Sequence, residues 1–268
     1  MAEPEISAHF DAVNQLKEVL GNEAVITDEA AIETTTRNTS AFNPPQVPGL
    51  VIPDSVQELK AVINLARKYE MQVYPYSRGL NWGLGSRLPA CEGCILVSLE
   101  KLNNIREVNE HYHYAIIEPG VTQQQLVDYL DAHGYALQLN VTGSSPHSSV
   151  LGNVLEKGTG FRNHRVEDVR GMEVLLGNEE LLHTGFWHDE PPETTIHHFK
   201  YGVGPYLDGL FLQSNFGIVT AAVINLIPKQ EDTWMLTCHL TESKLQHFID
   251  NINQLYKGKY LYNSMHIG

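Results

Sequence analysis

Between Pro75 and Gly85 the chain reads Pro-Tyr-Ser-Arg-Gly-Leu-Asn-Trp-Gly-Leu-Gly, with three glycines inside seven residues and Ser77-Arg78 just ahead of them. Glycine admits positive φ and lets the main chain approach a ligand closely, so such a loop can turn successive N–H groups onto a phosphate. A dinucleotide fingerprint of the GxGxxG kind needs its glycines directly between a strand and a helix, with an acidic residue about 20 positions on. Gly83-Leu84-Gly85 lacks the third glycine, and Arg87-Leu88-Pro89 follows where the helix would begin. Nicotinamide-dinucleotide binding by that route is therefore not expected, and a plain surface loop is the alternative to a phosphate cradle.

Two other sets of residues have the chemistry for a site. Cys91-Glu92-Gly93-Cys94 has the CxxC spacing of a redox or metal pair, but zinc would need two further ligands at comparable spacing and none is evident. The motif reads as a glycine-containing turn before a strand at Ile95-Leu96-Val97. Histidine is frequent, with 13 residues, so His111-Tyr112-His113 and His197-His198 carry little information and no metal is expected.

These residues need elements to position them. Phe10, Val13, Leu16 and Leu20 recur at helical spacing, and a polar stretch from Glu33 to Pro48 follows. Leu50-Val51-Ile52 predicts a strand, Asp54-Ser55 a cap for a helix over Val56 to Tyr69, and Met71 to Tyr74 a second strand that runs into the glycine-bearing loop. Further strands are expected at Ile95–Leu99, Ile105–Val108, Tyr112–Glu118 and Leu137–Val141, with a helix over Val121 to His133. Gly171–Leu176 and Glu180–Thr184 are expected to pair across Gly177-Asn178, and Gly217–Leu226 forms the last strand of the core. Beyond Pro228 the pattern predicts a strand over Trp234–Leu240, a helix over Ser243–Tyr256 and a strand over Tyr260–His266.

Composition limits the partners. Eighteen Lys+Arg against 32 Asp+Glu give a net charge of −14, which repels nucleic acid and anionic membrane surfaces, so neither is expected to bind. Any bound phosphate must then be held mostly by main-chain N–H groups and one or two local cations. No apolar run reaches the length of a membrane span, and three cysteines do not make a disulfide framework, so a reducing cytoplasmic setting is expected.

Four ordered motifs connect the loop to a family. Ile52-Pro53-Asp54-Ser55-Val56-Gln57-Glu58-Leu59, Pro75-Tyr76-Ser77-Arg78-Gly79, Glu118-Pro119-Gly120-Val121 and Gly217-Ile218-Val219-Thr220 together resemble the FAD-binding domain shared by vanillyl-alcohol oxidase and p-cresol methylhydroxylase (PCMH). Leu151-Gly152-Asn153, Gly158-Thr159-Gly160, Gly171-Met172-Glu173-Val174 and the run Tyr201 to Phe211 resemble its 4-alkylphenol-oxidising subgroup. The resemblance covers about Pro45 to Pro228. It implies an α+β chain: a PCMH-type FAD-binding fold of two α/β subdomains, followed by the incomplete start of a cap (substrate) domain. The expected divisions are a helical lead-in at 1–44, subdomains at 45–105 and 106–230, and the beginning of the cap at 231–268.

The same resemblance implies site residues. Tyr76, Ser77, Arg78, Gly79, Leu80, Asn81 and Trp82 fall on the family's pyrophosphate loop, and Pro119 and Gly120 on its bend beside the adenosine half. Ser144, Ser145, Ser149, Val150, Gly152, Asn153, Gly158 and Gly160 fall along the ribityl chain and ring, and Gly217, Ile218 and Val219 on the flanking strand. His147 is either a proton carrier or hydrogen-bond donor near the ring, or a loop residue. Two positions depart from the pattern: Leu84 replaces a phenolate-binding tyrosine, and Ser144 replaces an acid near the flavin N5. With no histidine in the loop, FAD is expected to be held non-covalently, and no catalytic residue is assigned.

The implied function is oxidation of an alcohol or alkylphenol-like small molecule by hydride transfer to flavin N5, or, alternatively, a non-catalytic flavin-binding or scaffold role. The sequence is expected to be either a fragment of a longer polypeptide or a subunit whose cap is completed by a second chain or a homo-oligomer, docking through apolar residues of 231–268 such as Trp234, Leu236, Phe248 and Leu255.

Overall fold

The computed structural model describes residues 3–38, 45–80, 87–187, 197–230 and 237–261. Helix α1 (Glu3–Leu20) leads into a short strand β1 (Val25–Ile26) and helix α2 (Glu29–Thr36), capped by the Asp28 side chain on the Ala31 N–H. Strand β2 (Leu50–Val51), helix α3 (Val56–Lys68), strand β3 (Val73–Tyr76) and strand β4 (Ile95–Ser98) complete a four-stranded sheet of order β1-β2-β4-β3. Strand β4 is central, parallel to both neighbours and buried along its whole length, as its unbroken apolar run requires.

Helix α3 forms where its sequence directs. Ser55 caps it by accepting from the Glu58 N–H at 3.3 Å, while the Glu58 carboxylate reaches back to the Asp54 N–H at 2.9 Å. Leu59, Val62, Ile63, Leu65 and Ala66 then bury one face against β4 and the Ala12, Val13 and Leu16 side of α1.

A second sheet has the order β5-β6-β10-β8-β9, all pairs antiparallel, from β5 (Ile105–Asn109), β6 (Tyr114–Ile117), β8 (Val169–Leu175), β9 (Leu181–His183) and β10 (Ile218–Asn225). Helix α4 (Gln123–Ala132) and the short helix α5 (Val150–Leu155) pack on it through Leu126, Leu130, Val150, Leu151 and Val154. Strand β7 (Leu137–Gln138) pairs with β11 (Ile227–Pro228), and helix α6 (Glu242–Lys257) follows. The two sheets meet where Leu175 and Ile218 join the core of the first.

Several expectations are corrected. The strand placed at Met71–Tyr74 lies two residues later, so Pro75 and Tyr76 belong to β3 rather than to the loop. A proline is tolerated there because β3 is the sheet edge. The strand expected over Leu137–Val141 keeps only two residues. Residues 237–240 are not strand, and the rest of Trp234–Leu240, including Trp234 and Leu236, lies outside the described residues, as does most of the strand expected at Tyr260–His266. The hairpin across Gly177-Asn178 forms as expected, with Leu175 opposite Leu181 and Leu176 N–H bonded to Glu180 O. Among the described residues no helix is long and apolar enough to cross a membrane.

Candidate functional site

The C-terminal ends of the parallel strands β3 and β4 open onto a cleft of about 530 Å³. One wall is β3 and the segment it feeds, Tyr76 to Leu80; a second is the approach to α5 and the helix itself, Ser148, Ser149, Gly152, Asn153 and Glu156; the third is Phe211 and the run Gln213 to Val219 that enters β10. Each wall is fixed by local chemistry that the sequence specifies.

The first wall turns at Gly79, whose φ of +62° belongs to the left-handed region. A Cβ there would land on the Cγ atom of Arg87, because the Arg87 side chain lies across the glycine. Among the described residues, none accepts a hydrogen bond from the main-chain N–H of Ser77, Arg78, Gly79 or Leu80. Arg78 supplies the local cation, 3.9 Å from Glu100 and partly exposed. Burial pushes the Tyr76 hydroxyl above the usual tyrosine range, partly offset by the nearby Ser98 side chain, so it stands as a neutral group.

The second wall begins at Ser149. Its hydroxyl donates to Pro119 O at 2.5 Å and accepts from Gly152 N–H at 2.8 Å, capping α5 and tying it to the bend at Pro119-Gly120. Gly152 then faces the first wall so closely that a Cβ would sit 3.2 Å from both Cβ and Oγ of Ser77. The tract ahead of the helix is held by hydroxyls: Ser144 Oγ donates to Ser148 Oγ at 2.8 Å, and Ser148 Oγ donates to Leu80 O at 3.4 Å. Buried Gln123 organises it from behind, donating to Ser145 O at 3.2 Å and accepting from Thr142 N–H at 2.8 Å.

The third wall is pinned to the second. Gln213, at φ +50°, donates its N–H to Leu155 O at 3.1 Å and its side-chain amide to Glu156 O at 3.3 Å. That holds Phe211, Asn215 and Phe216 along the cleft.

Of the residues singled out in the sequence, Tyr76, Ser77, Arg78, Gly79, Leu80, Ser149, Gly152, Asn153, Gly217, Ile218 and Val219 line this one cleft. Asn81 and Trp82, with Gly83, Leu84 and Gly85, lie outside the described residues. Pro119, Gly120, Ser144, Ser145, Val150, Gly158 and Gly160 do not line it. Space beside Gly120 is filled by the carbonyls of Glu100 and Leu102, and beside Gly158 and Gly160 by the amides of Asn153 and Asn140. His147 is exposed and does not line the cleft. The residues that sequence reasoning missed are Gln123, Asn140, Arg87 and the run from Phe211 to Phe216. A polar Gln213-Ser214-Asn215 run just before a glycine and an apolar strand was the signal for the last.

Comparison with known proteins shows the family. Residues 47–185, just over half of the chain, match the family described as FAD binding domain. The chain belongs to that family. It is 44% identical over 223 residues to 1'-carboxy-chondrochloren decarboxylase of Chondromyces crocatus, covering 81% of this chain and 40% of that protein. It is 32% identical over 177 residues to the flavoprotein subunit of 4-cresol dehydrogenase [hydroxylating] of Pseudomonas putida, covering 65% and 34%. The solved structure of p-cresol methylhydroxylase with substrate bound superposes with a TM-score of 0.88 at 25% identity, over 98% of this chain and 52% of that one. That of 4-ethylphenol oxidase from Gulosibacter chungangensis, in complex with isoeugenol, gives 0.82 at 26%, over 95% and 49%.

The family's fold is thus the PCMH type, as the four motifs implied, and its cofactor is FAD. The chain spans about half the length of these solved relatives and less of the curated ones. The residues present fit the cofactor: four main-chain donors with no acceptor among the described residues and one arginine suit a pyrophosphate that the net charge of −14 would otherwise repel, and a wall kept small at Gly152 lies beside them.

Proposed function

We propose that this chain is the cofactor-holding part of an oxidoreductase that oxidises an alcohol or alkylphenol-like small molecule by hydride transfer to N5 of non-covalently bound FAD. Bound FAD supplies the two-electron acceptor. The observation that carries this is the meeting of the Ser77–Leu80 segment, whose main-chain donors have no acceptor among the described residues, and the Gly152 face of α5 across one cleft.

Each residue has a task in this reading. Ser77, Arg78, Gly79 and Leu80, with Asn81 and Trp82 following, hold the pyrophosphate through N–H groups, a hydroxyl and one guanidinium. Ser149, Gly152 and Asn153 give the ribityl chain and ring a wall of small or backbone groups, with Ser144, Ser145, Val150, Gly158 and Gly160 supporting it. Pro119 and Gly120 position α5 through Ser149, and Gly217, Ile218 and Val219 flank the opposite side. Substrate is covered by further polypeptide. Exposed Phe216 at the cleft and the half-buried Leu245, Phe248, Ile249 and Ile252 stripe of α6 offer it apolar surface. The low cysteine count fits a cytoplasmic setting.

A second reading comes from the 44% identical relative, named as a decarboxylase. A substrate that loses carbon dioxide draws its electron pair from the breaking C–C bond and needs no basic side chain, which fits serine rather than an acid at Ser144. The protein purified with FAD should absorb near about 450 nm and release that colour on denaturation. A colourless protein indifferent to FAD defeats both readings. Anaerobic bleaching by alkylphenols or alcohols supports the first, bleaching by their carboxylated analogues with release of carbon dioxide supports the second, and bound flavin that neither bleaches points to a scaffold.

A further inference from the structure

The turn that precedes β4 holds two thiols that the cleft does not use. Cys91 and Cys94 lie with their Sγ atoms 2.7 Å apart, closer than non-bonded sulfurs normally settle and not far beyond the disulfide bond length of about 2.0 Å. Both sulfurs converge on one acceptor, Gln72 Oε1, at 2.7 Å from Cys91 and 3.7 Å from Cys94. The turn is built to keep them together. Gly93 reverses the chain at φ +76°, its N–H donates to Gln46 O at 2.9 Å, and the Glu92 carboxylate accepts from the Gln46 N–H.

The two sulfurs differ in access. Cys94 is 3% exposed, whereas Cys91 is only partly covered. Burial, together with the Cys91 thiol beside it, pushes the Cys94 thiol up to about 12, so it does not start a reaction with a soluble partner. A metal does not explain the pair, since no third His, Cys, Asp or Glu joins it among the described residues.

We propose that Cys91 and Cys94 form a reversible dithiol–disulfide pair whose oxidant is a low-molecular-weight disulfide. The Cys91 thiolate attacks one sulfur of the small disulfide, whose S–S bond breaks and whose other half leaves as a thiol after taking up a proton. Cys94 then gives its proton to water and attacks Cys91 Sγ, and the second half leaves in the same way. Two electrons pass from the pair to the small disulfide, giving one protein disulfide and two small thiols. The pair stands at the start of β4, beside Ile95, and neither Cys91 nor Cys94 lines the cleft. Closure therefore leaves the flavin site in place.

The test uses the full chain carrying Cys238→Ser, which removes the exposed third thiol. Reduced protein is freed of reductant, exposed to oxidised glutathione, denatured and assayed for thiols and intact mass. Expected is a fall from two thiols to none with loss of two hydrogens and no bound glutathione, reversed by dithiothreitol, with FAD affinity unchanged. Adding Cys94→Ser should stop the reaction with one glutathione on Cys91, and adding Cys91→Ser should leave Cys94 unmodified. Two thiols surviving exposure, a persistent glutathione adduct with Cys94 free, or modification of Cys94 in the Cys91→Ser variant would each overturn the proposal.

Discussion

At the residue scale, the cleft depends on one backbone conformation. Gly79 sits at φ +62° beneath the Arg87 side chain. An alanine there bears the left-handed cost of about 1 kcal/mol and displaces Arg87 as well. Gly79→Ala is expected to weaken FAD binding about tenfold, equivalent to about 1.4 kcal/mol, in a flavin fluorescence titration. The double variant Gly79→Ala/Arg87→Ala separates the two causes. Recovery of part of the loss assigns it to the displaced arginine, and no recovery assigns it to the backbone. Affinity unchanged in Gly79→Ala would mean that the Ser77–Leu80 segment does not hold the cofactor. The need for glycine at Gly79 was legible in the sequence, because conformational need fixes residue type there. Arg87 was not, because its role comes from folding back over a residue eight positions earlier.

At the element scale, α5 is six residues long and is held in place by what surrounds it. Its cap, Ser149, also satisfies the buried Pro119 carbonyl. Ser149→Ala removes a cap worth about 1 kcal/mol and leaves that carbonyl unpaired, for a total near 2 kcal/mol. A fall in Tm of about 5 °C is expected by calorimetry, with Ser149→Thr restoring most of it. A variant that melts with the wild type would show that α5 is secured by its apolar face alone. Helices α3 and α4 announced themselves through caps and apolar spacing within their own residues, with Ser55 and Thr122 at their starts. Helix α5 did not, since six residues hold too few turns for a period to show. Helix α2 was hidden in the opposite way, because its Glu-Ala-Ala-Ile-Glu-Thr-Thr-Thr run runs into the polar stretch that precedes β2. The extent of β3 was misjudged because proline in a strand depends on edge position, which is a property of the sheet and not of the segment.

At the scale of the whole molecule, stability against pH follows from how the second sheet treats its carboxylates. Burial raises the Asp208 carboxyl above its ordinary value, against the Thr184 and Tyr206 hydroxyls, and burial raises Asp168 likewise, against the Asn140 amide. Glu173 goes the other way: burial alone would raise it, but the Thr220 hydroxyl, Arg106 and His183 together hold it below the usual range. A group raised on folding adds stability that is complete below its unfolded value, 3.8 for aspartate here, and is lost as pH climbs through its folded value. A group lowered on folding adds stability that disappears only as pH falls through its folded value, which for Glu173 lies below 4.5. As pH falls from neutrality toward 3.8 the raised aspartates therefore act before Glu173 does. Asp208→Asn removes one of them without removing the side-chain oxygen that accepts from Thr184. In thermal melts across that range the wild type should gain on Asp208→Asn as the medium is acidified, because only the wild type takes up the proton on folding. A constant offset between the two curves would show that Asp208 binds no proton in this window. The acidic net charge of −14 lessens in both proteins alike on acidification, so the difference between them isolates the buried carboxyl from the repulsion of the surface.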